Sequence, residues 1–342
     1  MAEYQYYDFY SLDRPLNKEE ISQIKDLSSR AKVNPQRATF AYHYGDFKSD
    51  EVDVLNKHFD MMLYIANWGT RRLLIKVPKA LVPKESLKAY ECDVWSAFEN
   101  SLKIQSVGTN LVIDIIYHEE SEYWVEGEGM LDDMLPLRAQ ILESDYRVLY
   151  LTWLHLMAQM SPQEMETDKE ILEPPLPPNL KRLDPALKSF AHFMQIPFDL
   201  INAAAENSPN QDSIPLKDLA EYIPELSNEE KNQYLAQLLA DKTKARQSLR
   251  QRLMEFYPTQ APKVKPRRTL YELQDAVARQ SHLRIMTERK ADEAAKIKKM
   301  ERIRQEKSQM WYDVEEKVPV KKRPRIRPSY RPVKRTQRIV CV

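Results

Sequence analysis

Glycine is what this chain most lacks. Its 342 residues hold five, Gly45, Gly69, Gly108, Gly127 and Gly129, and none follows. Loops that cradle phosphates need backbone without a Cβ so that the anion can approach, as in GxGxxG or GxxxxGK. Neither spacing can be assembled here, so nucleotide chemistry of the Rossmann or P-loop type is excluded. Cysteine is rarer still: Cys92 and Cys341 are the pair. That predicts no stabilising disulfide and a reducing, cytoplasmic setting. The histidines, His43, His58, His118, His155, His192 and His282, form no HxH or HExxH pair, and no CxxC exists. Neither a metal nor a cofactor is therefore expected. GxSxG is also missing, and nothing around Cys92 marks a nucleophile, so no catalytic residue is assigned. Apolar runs fall short of the roughly 18–20 residues of a membrane span. Met1-Ala2-Glu3-Tyr4 lacks a basic start followed by an apolar stretch. No membrane partner and no secretion signal are expected.

Charge is abundant and unevenly spread. Residues 1–240 carry 23 Lys+Arg against 39 Asp+Glu, and residues 241–342 carry 29 against 12. The overall net of +1 is thus the sum of two large opposite terms. Within the first part, residues 1–100 are balanced and the acidity sits in 101–240. Asymmetry of this kind is what a basic interaction tail looks like.

Strand-like segments fall in the first 120 residues: Tyr4 to Tyr10, Ala38 to Tyr44, Arg72 to Pro78, Leu102 to Val107 and Leu111 to Tyr117. The last two flank Gly108-Thr109-Asn110 and predict a hairpin. Asn17 with Glu20, and Leu16 facing Ile21, predict a helix start with a capping box and a staple. A second helix is predicted from about Asp50 to Asn67, with Leu55, Phe59, Met62, Leu63 and Ala66 at helical spacing and Gly69 as its left-handed cap. His58 and His155 are expected in the core with their polar atoms satisfied. From Leu131 the periodicity is helical, with Leu149 to Met160 as a buried helix. Starts are predicted at Asp184-Pro185, at Ser227 with Glu230, and at Thr269 with Glu272.

The expected architecture is α+β: an N-terminal small antiparallel sheet with helices (1–130), an acidic helical region (131–257), a linker (258–268), a long charged helix (269–311) and a disordered basic tail (312–342). The charged helix does not hold a heptad, so weak self-association is the most it predicts. The acidic run Glu119 to Asp133 has no EF-hand spacing and is expected as a solvated loop.

Two constellations carry the candidate chemistry. Lys321, Lys322, Arg323, Arg325, Arg327, Arg331, Lys334, Arg335 and Arg338 form a proline-interrupted cationic segment without acids. Nucleic acid is the partner such a segment suits, through counterion release without sequence reading; an acidic protein surface is the other, in cis on residues 101–240 or in trans. Asn67-Trp68-Gly69-Thr70-Arg71-Arg72 is the second. Arg71 and Arg72 are possible anion-binding residues; the structural alternative makes Trp68 a packing anchor and Arg72 the solvent face of a strand.

Ser11-Leu12-Asp13-Arg14-Pro15-Leu16, Tyr44-Gly45-Asp46-Phe47 and Ala66-Asn67-Trp68-Gly69-Thr70-Arg71-Arg72-Leu73 resemble a family of uncharacterised bacterial cytoplasmic proteins. So do Pro177 to Leu183 and Ala203 to Ser208. The resemblance covers about residues 4–255 plus a charged helix behind them and implies a shared architecture but no activity; the proline-rich basic ending departs from it. The sequence thus predicts a non-enzymatic accessory or adaptor protein that binds nucleic acid or a nucleoprotein complex. An enzyme with an unrecognised site in the N-terminal region, or a protein–protein scaffold, is the alternative.

Overall fold

The computed structural model describes residues 4–94, 100–119, 127–158, 160, 171–210, 216–240, 242–256 and 267–317. The chain is α+β. Its first unit spans Met1–Ser281 and its second His282–Val342. In chain order the first unit starts with β1 (Gln5–Tyr10), α1 (Lys18–Asp26), β2 (Lys32–Val33), β3 (Arg37–Tyr42) and α2 (Glu51–His58). Then come β4 (Met61–Ala66), β5 (Thr70–Pro78), α3 (Lys84–Lys88), β6 (Cys92–Val94), β7 (Asn100–Val107) and β8 (Asn110–His118). The strands make one eight-stranded sheet, order β2-β3-β1-β4-β5-β8-β7-β6, in which every neighbouring pair is antiparallel.

Local chemistry fixes the element ends. Asn17 Oδ1 accepts from Glu20 N–H at 2.9 Å, and the Glu20 carboxylate accepts from Asn17 N–H at 2.9 Å, which is the predicted capping box. Asp50 caps α2 by accepting from Asp53 N–H. The Gly108 turn joins β7 to β8 with φ +55°, a backbone conformation that favours glycine.

The second predicted helix requires correction. It ends at His58, and residues 61–66 are a strand instead, paired on β1 and β5. Met61, Met62, Leu63 and Ile65 are all buried, the first, third and fourth on one face and Met62 on the other. A strand covered on both faces is an unbroken apolar run, whose residues also satisfy helical spacing. Gly69 does take positive φ (+97°), but in the turn between β4 and β5. Trp68, in the same turn, is 39% exposed rather than a packing anchor.

Both faces of the sheet are covered. On one, α1 and α2 bring Ile24, Val54 and Leu55, with Leu16 just ahead of α1, onto Phe9, Phe40, Met62 and Leu74. On the other lie α4 (Met130–Met134), α5 (Pro136–Leu142), α6 (Arg147–Met157), α7 (Pro185–Phe193) and α8 (Phe198–Ala205). Their Leu137, Leu154, Leu187 and Phe190 share a cluster with Leu63, Leu73, Ile75 and Ile113. Asp184 caps α7 by accepting from Leu187 N–H, with Pro185 in the first turn, as the sequence predicts. Beyond them, α9 (Leu216–Ala220), α10 (Asn228–Ala240) and α11 (Lys242–Phe256) gather around a smaller core of Leu219, Leu226 and Leu253.

The long charged helix is α12 (Leu270–Lys317), starting at the predicted Thr269–Glu272 box. Leu270, Leu273 and Ala276 are buried at its base. The second unit contains its residues 282–317, and each side chain described there, from His282 to Met310, is exposed.

Candidate functional site

Successive residues of a strand face opposite sides of a sheet. Arg71 and Arg72 are consecutive in β5, so the fold separates the two arginines that the sequence reading grouped. Arg72 shares the face of Leu74, under α1 and α2. It donates from Nε and Nη2 to the two Asp114 oxygens at 2.8 and 2.7 Å, and from Nη1 to Glu51 at 3.3 Å. Burial pulls its pKa down, but the hydrogen bonds and charge of Asp114 more than offset this. Arg72 is an ion-paired residue rather than the open solvent face of a strand.

Arg71 shares the face of Leu73, Ile75 and Val77, under the helical layer. It is 4% exposed. Its cross-strand neighbours are Ile65 on β4 and Tyr117 on β8, both buried. Among the described residues its Nη1 meets no hydrogen-bond partner, and no carboxylate reaches ion-pairing distance. Burial lowers its pKa, opposed by Tyr117 and Glu119.

From the helical side, His155 of α6 packs on Tyr117, the cross-strand neighbour of Arg71. Its ring centroid lies 4.5 Å from that of Tyr117, it is 4% exposed, and its Nε2 has no partner among the described residues. Burial pushes its pKa down to about 4, so the ring is neutral near neutral pH; Glu119 opposes that shift and Arg71 adds to it. Tyr117 donates its hydroxyl hydrogen to Glu119 at 2.7 Å. An arginine with no ion-pair partner among the described residues, a neutral imidazole with an open nitrogen and the Tyr117 phenol are therefore gathered between sheet and helices. His155 is in the core as expected, but not satisfied there. His58 Nδ1 also has no hydrogen-bond partner among the described residues, with the Glu20 carboxylate 4.0 Å away.

The other buried arginines and their carboxylates are ion-paired, with one open oxygen at Asp8. Asp60 accepts from the N–H groups of Leu12 and Asp13 at 2.7 and 2.9 Å, with Lys76 at 3.3 Å. Arg138 of α5 forks onto Asp13 at 2.8 and 2.7 Å and donates to Lys76 O, which ties α5 to β5. Asp8 accepts from Arg37 Nε at 2.9 Å while Arg37 also pairs with Asp132 of α4. The second Asp8 oxygen is unpartnered, and burial raises this carboxyl to about 6 against the pull of Arg37. At the base of α12, Arg268 forks onto Glu173 at 2.7 and 2.8 Å and donates to Ala203 O at 3.0 Å, and Tyr150 donates to the same carboxylate.

The nine cationic residues from Lys321 to Arg338, like Cys341, most of the 258–268 linker and Glu120 to Glu126, lie outside the described residues. Among the described residues no group of His, Cys, Asp and Glu is arranged to hold a metal ion. No described helix is long and apolar enough to cross a membrane. No protein-family model, no curated protein and no solved structure matches this chain.

Proposed function

We propose that this protein is a non-enzymatic adaptor of the bacterial cytoplasm, whose C-terminal cations bind nucleic acid or a nucleoprotein complex without reading sequence. The observation that carries this reading is charge partition: the +17 of residues 241–342 follows a body carrying −16. Two structural features support it. The base of α12 is locked by Glu173, Arg268 and Tyr150, and its described side chains from His282 onward are exposed. At 1.5 Å per residue a helix of this length spans about 70 Å. The resemblance to the bacterial family adds no activity to this reading. The rival, an enzyme with its site in the N-terminal α+β region, is favoured by one observation, the uncompensated Arg71 beside His155.

The test is binding of a duplex and a single-stranded oligonucleotide by the full chain at several salt concentrations. The partner chain carries Gln at Lys321, Lys322, Arg323, Arg325, Arg327, Arg331, Lys334, Arg335 and Arg338. Each phosphate contact contributes about 0.9 to the slope of log K against log salt on duplex DNA. A steep slope that collapses in the substituted protein is expected. Equal slopes in the two proteins would defeat the reading; binding only to acidic protein would transfer it to the scaffold alternative.

A further inference from the structure

We propose that Arg71 and His155 form a buried binding site for the carboxylate of a small organic monoanion. The inference is independent of the polyanion reading, because Arg71 belongs to the sheet and not to the cationic segment.

Arginine cannot shed its charge in a protein, and a buried charge without a partner carries a heavy desolvation penalty. The other buried arginines among the described residues avoid that penalty. Arg72 forks onto Asp114, Arg138 onto Asp13, Arg147 onto Asp145 and Arg268 onto Glu173. Arg71 is at least as buried as any of them and has no such carboxylate among the described residues. A buried polar group left unsatisfied in a native fold asks for an explanation, and an exchangeable anion is one that a guanidinium supplies directly.

A second unpartnered atom points to the same ligand. The open Nε2 of His155 comes from the opposite layer, against the ring of Tyr117, the cross-strand neighbour of Arg71. Neutral imidazole offers either an N–H or a lone pair at that nitrogen, according to tautomer. One anion bridging Arg71 and His155 would satisfy both layers at once.

Charge and shape select the ligand class. The site holds a single fixed positive charge, and the Glu119 carboxylate on Tyr117 already adds negative potential. A dianion such as inorganic phosphate would bring an uncompensated charge into a buried place. A monoanionic carboxylate brings less charge than a dianion, and its two oxygens match the planar fork of arginine. The strand neighbour Ile65 and the ring of Tyr117 supply apolar flanks, which favour a short hydrocarbon group over a polar one.

The experiment uses the full-length protein. Its thermal midpoint is followed in sodium acetate, propionate and benzoate, with sodium chloride and sodium phosphate at matched ionic strength as references. Line broadening of carboxyl-labelled propionate gives a direct reading of binding. At least one monocarboxylate is expected to give a saturable rise in midpoint that chloride and phosphate do not. Arg71→Met should abolish that rise and unfold, without ligand, at the wild-type midpoint or above it, because a buried unpaired charge has gone. Arg71→Lys keeps the charge, loses the fork and should bind about tenfold more weakly. His155→Phe should weaken binding while leaving the fold intact by far-UV circular dichroism. The proposal is overturned if none of the three acids acts on wild type, or if the response survives in Arg71→Met. It is also overturned if Arg71→Met is strongly destabilised without ligand, since the guanidinium would then be satisfied within the chain.

Discussion

Asp8 and His155 should make opposite contributions to acid stability, and single substitutions should separate them. Burial raises Asp8 from the ordinary 3.8 to about 6, so the folded state holds this proton more tightly than the unfolded chain. Its contribution is present at low pH and is lost as pH rises from 3.8 to about 6, a change of about 3 kcal/mol. Burial lowers His155 from 6.5 to about 4, so the unfolded chain holds that proton more tightly. Stability from this group therefore rises with pH between about 4 and 6.5, again by about 3 kcal/mol. The two windows overlap and the slopes oppose, so wild type hides both. Asp8→Asn should expose the histidine, giving a protein that loses about 3 kcal/mol relative to wild type on acidification. His155→Phe should expose the aspartate, gaining a similar amount over the same range. The double variant should run parallel to wild type. Urea unfolding at a series of pH values between about 4 and 7 measures all four curves. Single variants that track wild type within about 0.5 kcal/mol, the ordinary scatter of neutral substitutions, would refute the argument. Neither side chain would then be as desolvated as the packing requires.

Three further outcomes follow from the packing. Arg268→Met leaves the Glu173 carboxylate buried without its cation and should cost about 3–5 kcal/mol, whereas Glu173→Leu with Arg268→Met should cost far less. Urea unfolding decides between them, and equal losses would mean the pair is solvated. Gly127→Ala would place a Cβ 2.5 Å from Tyr6 Cδ1 and 2.7 Å from Ile65 Cγ2. That overpacking should destabilise by about 1–3 kcal/mol, and an unchanged thermal midpoint would show that the segment yields freely. Asn17→Ala removes half of the capping box on α1 and should cost about 1 kcal/mol; no loss would mean water replaces the cap at no cost.

Local chemistry was legible from sequence and distant pairing was not. The boxes at Asn17, Ser227 and Thr269 stand where they were expected, because a side chain that closes on a backbone N–H three residues away needs no tertiary context. The Gly108 hairpin was legible for the same reason. The strand at Met61–Ala66 was lost because a segment buried on both faces has no period of its own. A cue was present in Asn67-Trp68-Gly69-Thr70, a turn string between two apolar runs. The Arg71 site is the more instructive case. In a strand over Arg72 to Pro78 the residues Leu73, Ile75 and Val77 share one side, and parity alone puts Arg71 with them rather than with Arg72. His155 could not be added to it, since only the folding of α6 over the sheet brings residues 71 and 155 together. The lock of Glu173 on Arg268, across 95 positions, was invisible for the same reason.

The first strand of the chain is an interior one. Tyr4 to Tyr10 run between β3 and β4, with every residue of β1 paired on both sides. Deleting a leading stretch of this kind would not shave an edge. It would split the sheet into an isolated β2–β3 ribbon and a five-stranded remnant, each with a raw, hydrogen-bond-hungry border. During synthesis residues 5–10 must wait for some sixty more before both of their strand neighbours exist, and until then their apolar side chains and backbone groups lack the pairing of the finished sheet.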